Sequence, residues 1–228
     1  MYYQTLHYMA KQNVKKTPPK GSIRFSISLS EEQKKAKTEI LKHPFNFIVG
    51  KAGSGKTLLA CQIALDMFFK RMINKIIITR PTVSTEDNGF LPGSEREKME
   101  PWLVPIRSNM RKVYNKPLIL EKMEKEEQIE LCSLAHFRGR TFENSIVIVD
   151  EFQNLTKSQL RMALGRLGKN STMIFTGDLQ QIDLKDKNYS AIHDLPKIAN
   201  SEYVYKRVLQ DNHRHIAIDE VFELLNGM

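Results

Sequence analysis

An α/β fold built on a mostly parallel central sheet, flanked by helices and carrying a helical insertion, is predicted by three observations. The octet Gly50-Lys51-Ala52-Gly53-Ser54-Gly55-Lys56-Thr57 joins an apolar run of strand type to a helical run. Short, mainly apolar runs recur at residues 45–49, 75–79, 146–149 and 172–176, with helical spacing between the first two. Runs of this length and composition read as buried strands, and a strand, a helix and a strand in succession make a βαβ unit with parallel pairing. Two of the runs end in acids, Asp150-Glu151 and Gly177-Asp178. Ligands of open α/β sheets collect at the carboxyl ends of strands.

The elements follow in order. Residues 1–37 hold eight Lys or Arg against two Glu, so most of the formal charge of +9 lies there. Residues 1–22 read as a basic flexible arm. Its tyrosines and lysines suit stacking on and pairing with nucleic acid, and equally suit a solvated tail. Residues 23–228 read as a single domain, and a 41% hydrophobic content suffices for its core. No apolar stretch reaches the roughly 20 residues of a membrane helix, and residues 1–14 lack the apolar segment of a signal peptide. A cytoplasmic protein with no membrane partner is expected. Cys61 and Cys132 are expected as reduced packing residues.

Ser30-Glu31-Glu32-Gln33 opens the first helical segment. Ser followed three residues later by Gln is a capping box. Residues 45–49 then form a strand leading into the octet, whose GxxxxGK[ST] spacing is that of a phosphate-binding loop. Its glycines let the backbone curl until successive N–H groups face a polyphosphate, and the positive end of the next helix adds to that field. Gly50, Lys51, Ala52, Gly53, Ser54, Gly55, Lys56, Thr57 and Leu58 are therefore candidate ATP-binding residues. Lys56 is expected to reach the phosphates and Thr57 to ligate Mg²⁺. Leu58, Leu59, Ile63, Ala64, Met67 and Phe68 recur at helical spacing after it.

The strand at 75–79 is followed by Arg80, a candidate nucleic-acid contact, and by a helical insertion at about 89–130. In that insertion Trp102 suits core packing or base stacking. Arg138 and Arg140 come before the strand at 146–149, and a pair of arginines there serves phosphates or simply solvent. Asp150 at the strand end is expected to hold Mg²⁺, while Glu151 activates the attacking water. The run Gly177-Asp178-Leu179-Gln180-Gln181 ends the neighbouring strand, where the amide of Gln181 is expected to sense the γ-phosphate. Arg214, between His213 and His215, is a candidate arginine finger. The two histidines have no Cys or acidic partners at ligand spacing and read as surface or packing residues.

These segments together resemble the PhoH family of ATPases, and through it the RecA-like core of superfamily 1 helicases. The resemblance rests on the phosphate loop, on Arg80-Pro81-Thr82-Val83, Gly89-Phe90-Leu91-Pro92-Gly93, Glu97-Lys98-Met99-Glu100-Pro101, Arg138-Gly139-Arg140-Thr141, Asp150-Glu151-Phe152-Gln153-Asn154 and Asn212-His213-Arg214-His215. It covers residues 29 to the C-terminus. It implies a RecA-like P-loop NTPase, Mg²⁺-dependent ATP hydrolysis, a homo-oligomer such as a hexamer, and association with RNA or single-stranded DNA. A nucleotide switch acting on a protein partner is the alternative. The segment around Gln33 is similar to the helicase segment whose glutamine recognises adenine, a reading that stands beside the capping box. Phe152 occupies a position usually small in the family, which is expected to change packing near Glu151 more than chemistry. Stand-alone members of this kind are frequent in phages, which would place the protein in the host cytoplasm.

Overall fold

The computed structural model describes residues 23–81 and 95–213 and, toward the C-terminus, 217, 218, 220, 221 and 224. The basic arm at 1–22, residues 82–94 with the start of the insertion, and Arg214 and His215 lie outside the described residues. Helix α1 (Glu31–Ile40) starts where the Ser30 hydroxyl accepts the Gln33 N–H and the Gln33 side chain accepts the Ser30 N–H, so the capping box forms. Strand β1 (Phe45–Gly50) leads through the octet into α2 (Lys56–Phe69), and β2 (Lys75–Thr79) completes the first βαβ unit. The insertion contributes α3 (Glu95–Val113) and α4 (Pro117–Lys125), then ends in a short strand β3 (Ile129–Leu131). After these come β4 (Ser145–Val149), α5 (Lys157–Leu164), β5 (Thr172–Gly177), α6 (Leu195–Ile198) and β6 (Val204–Leu209).

The six strands lie in the order β3-β2-β4-β5-β1-β6, and every pairing is parallel. Parallel sheets need both faces covered, and alternation along each strand delivers that. Ile48, Ile76, Ile78, Ile146, Ile148 and Ile174 point to one face, where they pack with α1, α2, α3 and α4. Phe47, Val49, Ile77, Val147, Val149, Met173 and Phe175 point to the other, against Phe137, Phe142, Leu160 and Ile192. On α3, Leu103, Ile106, Met110 and Val113 recur at helical spacing and bury against α2. Cys61 and Cys132 are buried and unbridged. Burial raises both thiol pKa values, that of Cys132 to about 12. Among the described residues no helix is long and apolar enough to cross a membrane.

The α/β architecture is the one expected, but two strands were not. β3 is only three residues long, with an acid at its centre, and β6 is a half-exposed edge strand carrying Lys206 and Arg207. Neither has the uninterrupted run of three or more apolar residues by which the inner four announce themselves. The order has a direct consequence for chemistry. β5 lies between the loop strand β1 and the acidic strand β4, so neighbouring strands at about 4.8 Å spacing leave roughly 10 Å between the ends of β1 and β4. That width admits a phosphate and a cation.

Phe152, directly after the acidic pair, is fully buried with its ring edge-on to Phe47 at 5.3 Å and to Phe175 at 6.0 Å. It packs against Gly177 on β5. A Cβ at position 177 would meet the Phe152 ring and the Gln153 side-chain oxygen, each at 2.7 Å. Gly177→Ala is therefore expected to destabilise the fold by about 1–3 kcal/mol through overpacking, and chemical denaturation measures it. A variant as stable as the parent would mean that Phe152 can swing aside.

Candidate active site

The phosphate loop takes its shape from glycines with left-handed backbone, Gly53 (φ 93°) and Gly55 (φ 77°), a region costly for other residues. Gly55 caps α2 without any side-chain hydrogen bond, which leaves first-turn N–H groups of the helix for an anion. Lys56 opens the helix and is 8% exposed; its Nζ donates to the carbonyls of Gly50 (2.8 Å) and Lys51 (2.9 Å). The ammonium thus lies folded over the loop that would receive phosphate. Lys51 is exposed, Ala52 and Leu58 are half-buried, and Ser54 is buried. Ser54 Oγ has no hydrogen-bond partner among the described residues. A buried hydroxyl without a partner, in a loop of curled N–H groups under a lysine, fits a polyphosphate.

Thr57 stands one residue further into α2, and its hydroxyl donates to Asp150 Oδ1 at 2.7 Å. Thr176 on β5 donates to the same oxygen at 2.6 Å. A hydroxyl that gives its proton to a carboxylate keeps its lone pairs for a cation, so Thr57 and Asp150 form a set of hard oxygen donors suited to Mg²⁺. Asp150 is 2% exposed. Its second oxygen lies 3.5 Å from the Arg80 guanidinium, which also comes within 3.8 Å of Glu151. Arg80 therefore faces the acidic pair in this structure.

Glu151 adopts a left-handed backbone (φ 54°, ψ 45°), an uncommon conformation for a residue with a side chain. Burial raises its carboxyl pKa above the ordinary value, and the adjacent Asp150 charge adds to this; Gln153, Arg80 and Lys56 oppose the shift without cancelling it. Gln153 is the residue that sequence reasoning left without a role. Fully buried, its amide donates to Glu151 Oε2 and to the Gln181 carbonyl at 2.9 Å, and its oxygen accepts the Asp178 N–H at 3.2 Å. One side chain thus ties the end of β4 to the end of β5. Its only signal in the sequence is its place two residues after Glu151.

Other candidates lie elsewhere. Gln181 is exposed and held through its backbone, with its side chain at the rim. Arg138 is exposed. Arg140 is engaged in structure: its guanidinium forks onto Glu130 and stacks over the Phe142 ring at 4.9 Å. Arg140, with Lys75, holds the Glu130 carboxyl down to about 2. These contacts tie it to the β3 edge. Trp102 is half-buried on α3. Gln33 is 4% exposed and serves two structures at once, capping α1 and donating to the Ser54 carbonyl at 3.3 Å.

Comparison with known proteins is consistent with this geometry. The family described as "PhoH-like protein" matches residues 27–226. A PhoH-like protein of Synechocystis sp. is 42% identical over 154 residues, covering 67% of this chain and 47% of its own length. A PhoH-like protein of Mycobacterium leprae is 35% identical over 181 residues, 78% of this chain and 52% of the relative. Protein PhoH of Escherichia coli K12 is 38% identical over 150 residues, 65% and 42% respectively. The chain spans about half the length of these curated relatives. Similar solved structures include the large terminase of a thermophilic bacteriophage (TM-score 0.49, 11% identity, covering 86% of this chain and 50% of that one). The Pif1 helicase of Candida albicans is another (TM-score 0.48, 16% identity, 88% and 43%).

The raised pKa of Glu151 carries a stability consequence with a definite sign. A carboxyl whose folded pKa exceeds its unfolded value disfavours folding once ionised, so the penalty is full above the folded pKa and absent below the unfolded one. Glu151→Gln removes it while keeping an oxygen for the Gln153 amide. At pH 7–8 this variant is expected to melt higher than the parent. The gap should close as pH falls below 4.5, the ordinary glutamate value. A variant that melts lower at neutral pH would mean that the negative charge is stabilising there.

Proposed function

The chain belongs to the PhoH-like protein family, and on that footing we propose that it binds ATP with Mg²⁺ and hydrolyses it to ADP and phosphate, in a cycle coupled to RNA or single-stranded DNA. The observation that carries the reading is the 2.7 Å contact between Thr57 and Asp150, which joins the phosphate loop to an acidic strand end. Bound Mg²⁺ would neutralise charge on the transferring phosphoryl group. The chain's own residues do the rest.

Gly50 to Leu58 bind the phosphates through loop and helix N–H groups, with Lys56 exchanging the loop carbonyls for phosphate oxygens. Thr57 and Asp150 hold the metal. The Glu151 carboxylate orients the attacking water and takes its proton, and a raised pKa makes it a stronger base than an ordinary glutamate. Gln153 fixes that carboxylate from below. Gln181, on a rim anchored by the same amide, senses the γ-phosphate, and Arg214 stabilises transition-state charge from the same subunit or a neighbouring one. Gln33 reads the adenine edge from beside the loop. Positioning and charge stabilisation of this kind supply most of the catalysis in phosphoryl transfer.

The nucleic-acid limb is supported by the formal charge of +9 and the exposure of Arg138. It is supported also by the position of Arg80, which could leave the acids for a phosphodiester. Coupling to a strand would use sites between subunits of an oligomer such as a hexamer, acting in the cytoplasm.

Phosphate release, measured with Mg²⁺ and with or without RNA or single-stranded DNA, tests the proposal. Lys56→Ala is expected to lose tight ATP binding. Glu151→Gln should keep it while turnover drops at least roughly hundredfold, the scale of general-base catalysis. Hydrolysis by Glu151→Gln at the parental rate would refute the base. Absence of any nucleic-acid stimulation of the parent would favour a nucleotide switch acting on a protein partner.

A further inference from the structure

The chain leaving β6 turns over the phosphate loop and is fastened at both ends. On one side, Glu32 accepts the N–H groups of Gln210 (2.9 Å) and Asp211 (3.2 Å) on one carboxylate oxygen and the Arg207 guanidinium (2.9 Å) on the other. The Glu32 side chain is only 12% exposed. Its burial is outweighed by those three donors, so its carboxyl pKa lies below the ordinary value and it remains charged. The Ser30 hydroxyl adds a bond to the Asp211 carboxylate. On the other side, the His213 N–H donates to the Gly53 carbonyl at 3.1 Å, and the His213 ring nitrogen lies 3.4 Å from the Gln33 amide nitrogen. Gln33 in turn donates to the Ser54 carbonyl.

Residues 210–213 are thus a strap between α1 and the loop. In a trans peptide the carbonyl and the following N–H point in opposite directions. Fixing the Gly53 carbonyl therefore holds the Ser54 N–H in its turn bond to the Lys51 carbonyl at 3.2 Å, and fixing the Ser54 carbonyl through Gln33 sets the Gly55 N–H on the opposite side. Loop N–H direction is what an anion reads.

We propose that Glu32 is a positioning residue for nucleotide binding, holding the phosphate loop in its anion-receiving shape through the strap 210–213 and so coupling nucleotide occupancy to the segment that follows β6. The proposal rests on the reading of the loop as a nucleotide site. Because coupling of two equilibria is reciprocal, a strap that favours the binding shape must itself be tightened by the bound ligand.

Hydrogen exchange on the full chain, with and without saturating Mg²⁺ and a slowly hydrolysed ATP analogue, reads this directly. In the parent, exchange at Gln210, Asp211 and His213 is expected to slow on binding, and inorganic pyrophosphate should give part of the effect because the phosphates act on the loop. In Glu32→Gln, affinity for ATP and GTP should fall in parallel by roughly tenfold, within the range of such couplings, with the ligand-induced protection lost. A merely structural glutamate would lower the melting temperature without linking strap exchange to ligand. A parent that binds the ATP analogue with unchanged exchange at 210–213, or a folded Glu32→Gln that binds ATP at parental affinity, overturns the proposal alone. A parent that binds no nucleotide refutes the function assigned to the loop, and the proposal falls with it. The measurement on the parent needs no variant and decides even if Glu32→Gln fails to fold.

Discussion

One carboxylate oxygen, Asp150 Oδ1, accepts hydroxyls from Thr57 and Thr176 and so joins a helix and two strands at a single point. Much of the architecture serves that meeting. Thr57 reaches it because Gly53 and Gly55 turn the chain from β1 into α2 with left-handed backbone. Thr176 reaches it because the strand order sets β5 beside β4. Asp150 itself is delivered by a strand buried along its whole length, so its position has little freedom. Moving any one of these elements would leave a buried carboxylate oxygen short of donors, and a buried unpaired charge is among the costlier defects a fold can carry. The same oxygen therefore ties the sheet order to the loop helix, and the second carboxylate oxygen is left facing Arg80.

Around that point the structure accepts strain. Two acids adjacent in sequence are both largely buried, and the second has a left-handed backbone. A protein selected only for stability has no reason to do this. The compensation is local: Gln153 gives the Glu151 carboxylate a hydrogen-bond donor, Arg80 gives both acids a countercharge, and Phe152 packs edge-on against the stacked pair Phe47 and Phe175 to anchor the turn. The bulk of Phe152 is matched by Gly177, which has no side chain to oppose it. Core packing and a high-energy carboxylate thus share one short turn.

The inner sheet was legible because its strands are buried on both faces, and each carries an uninterrupted run of at least three apolar residues that writes it plainly in the sequence. The edges were not. β3 keeps Glu130 in place by pairing it with Lys75 and Arg140, and β6 shows solvent a lysine and an arginine, so both read as loops until the neighbouring strand is known. The candidate phosphate and metal residues stand out because the chemistry proposed for them demands a fixed spacing along the chain. Gln153 and Glu32 escaped for the opposite reason. Their roles lie in bonds to residues 25–30 and nearly 180 positions away respectively, and no local pattern encodes those partners. Gln33 shows why a motif reading and a physical one can both stand: its oxygen caps the helix while its nitrogen holds the loop.

The last strand explains why the strap exists at all. β6 runs in register with β1 for all of its six residues, ending with Leu209 beside Gly50. A strand that accompanies its neighbour to the very start of the phosphate loop must release its chain there, over the loop and not beside it. The approach is so close that a Cβ on Gly50 would lie 2.7 Å from the Leu209 carbonyl oxygen. The first glycine of the octet is thus required by the neighbouring strand as well as by the turn it opens. Once the chain emerges at that place, a short run of backbone N–H groups must find acceptors, since groups packed against protein and left unpaired are costly. Glu32 and the Gly53 carbonyl provide them. The link between the C-terminal segment and the loop is, in this sense, a consequence of parallel register at the sheet edge.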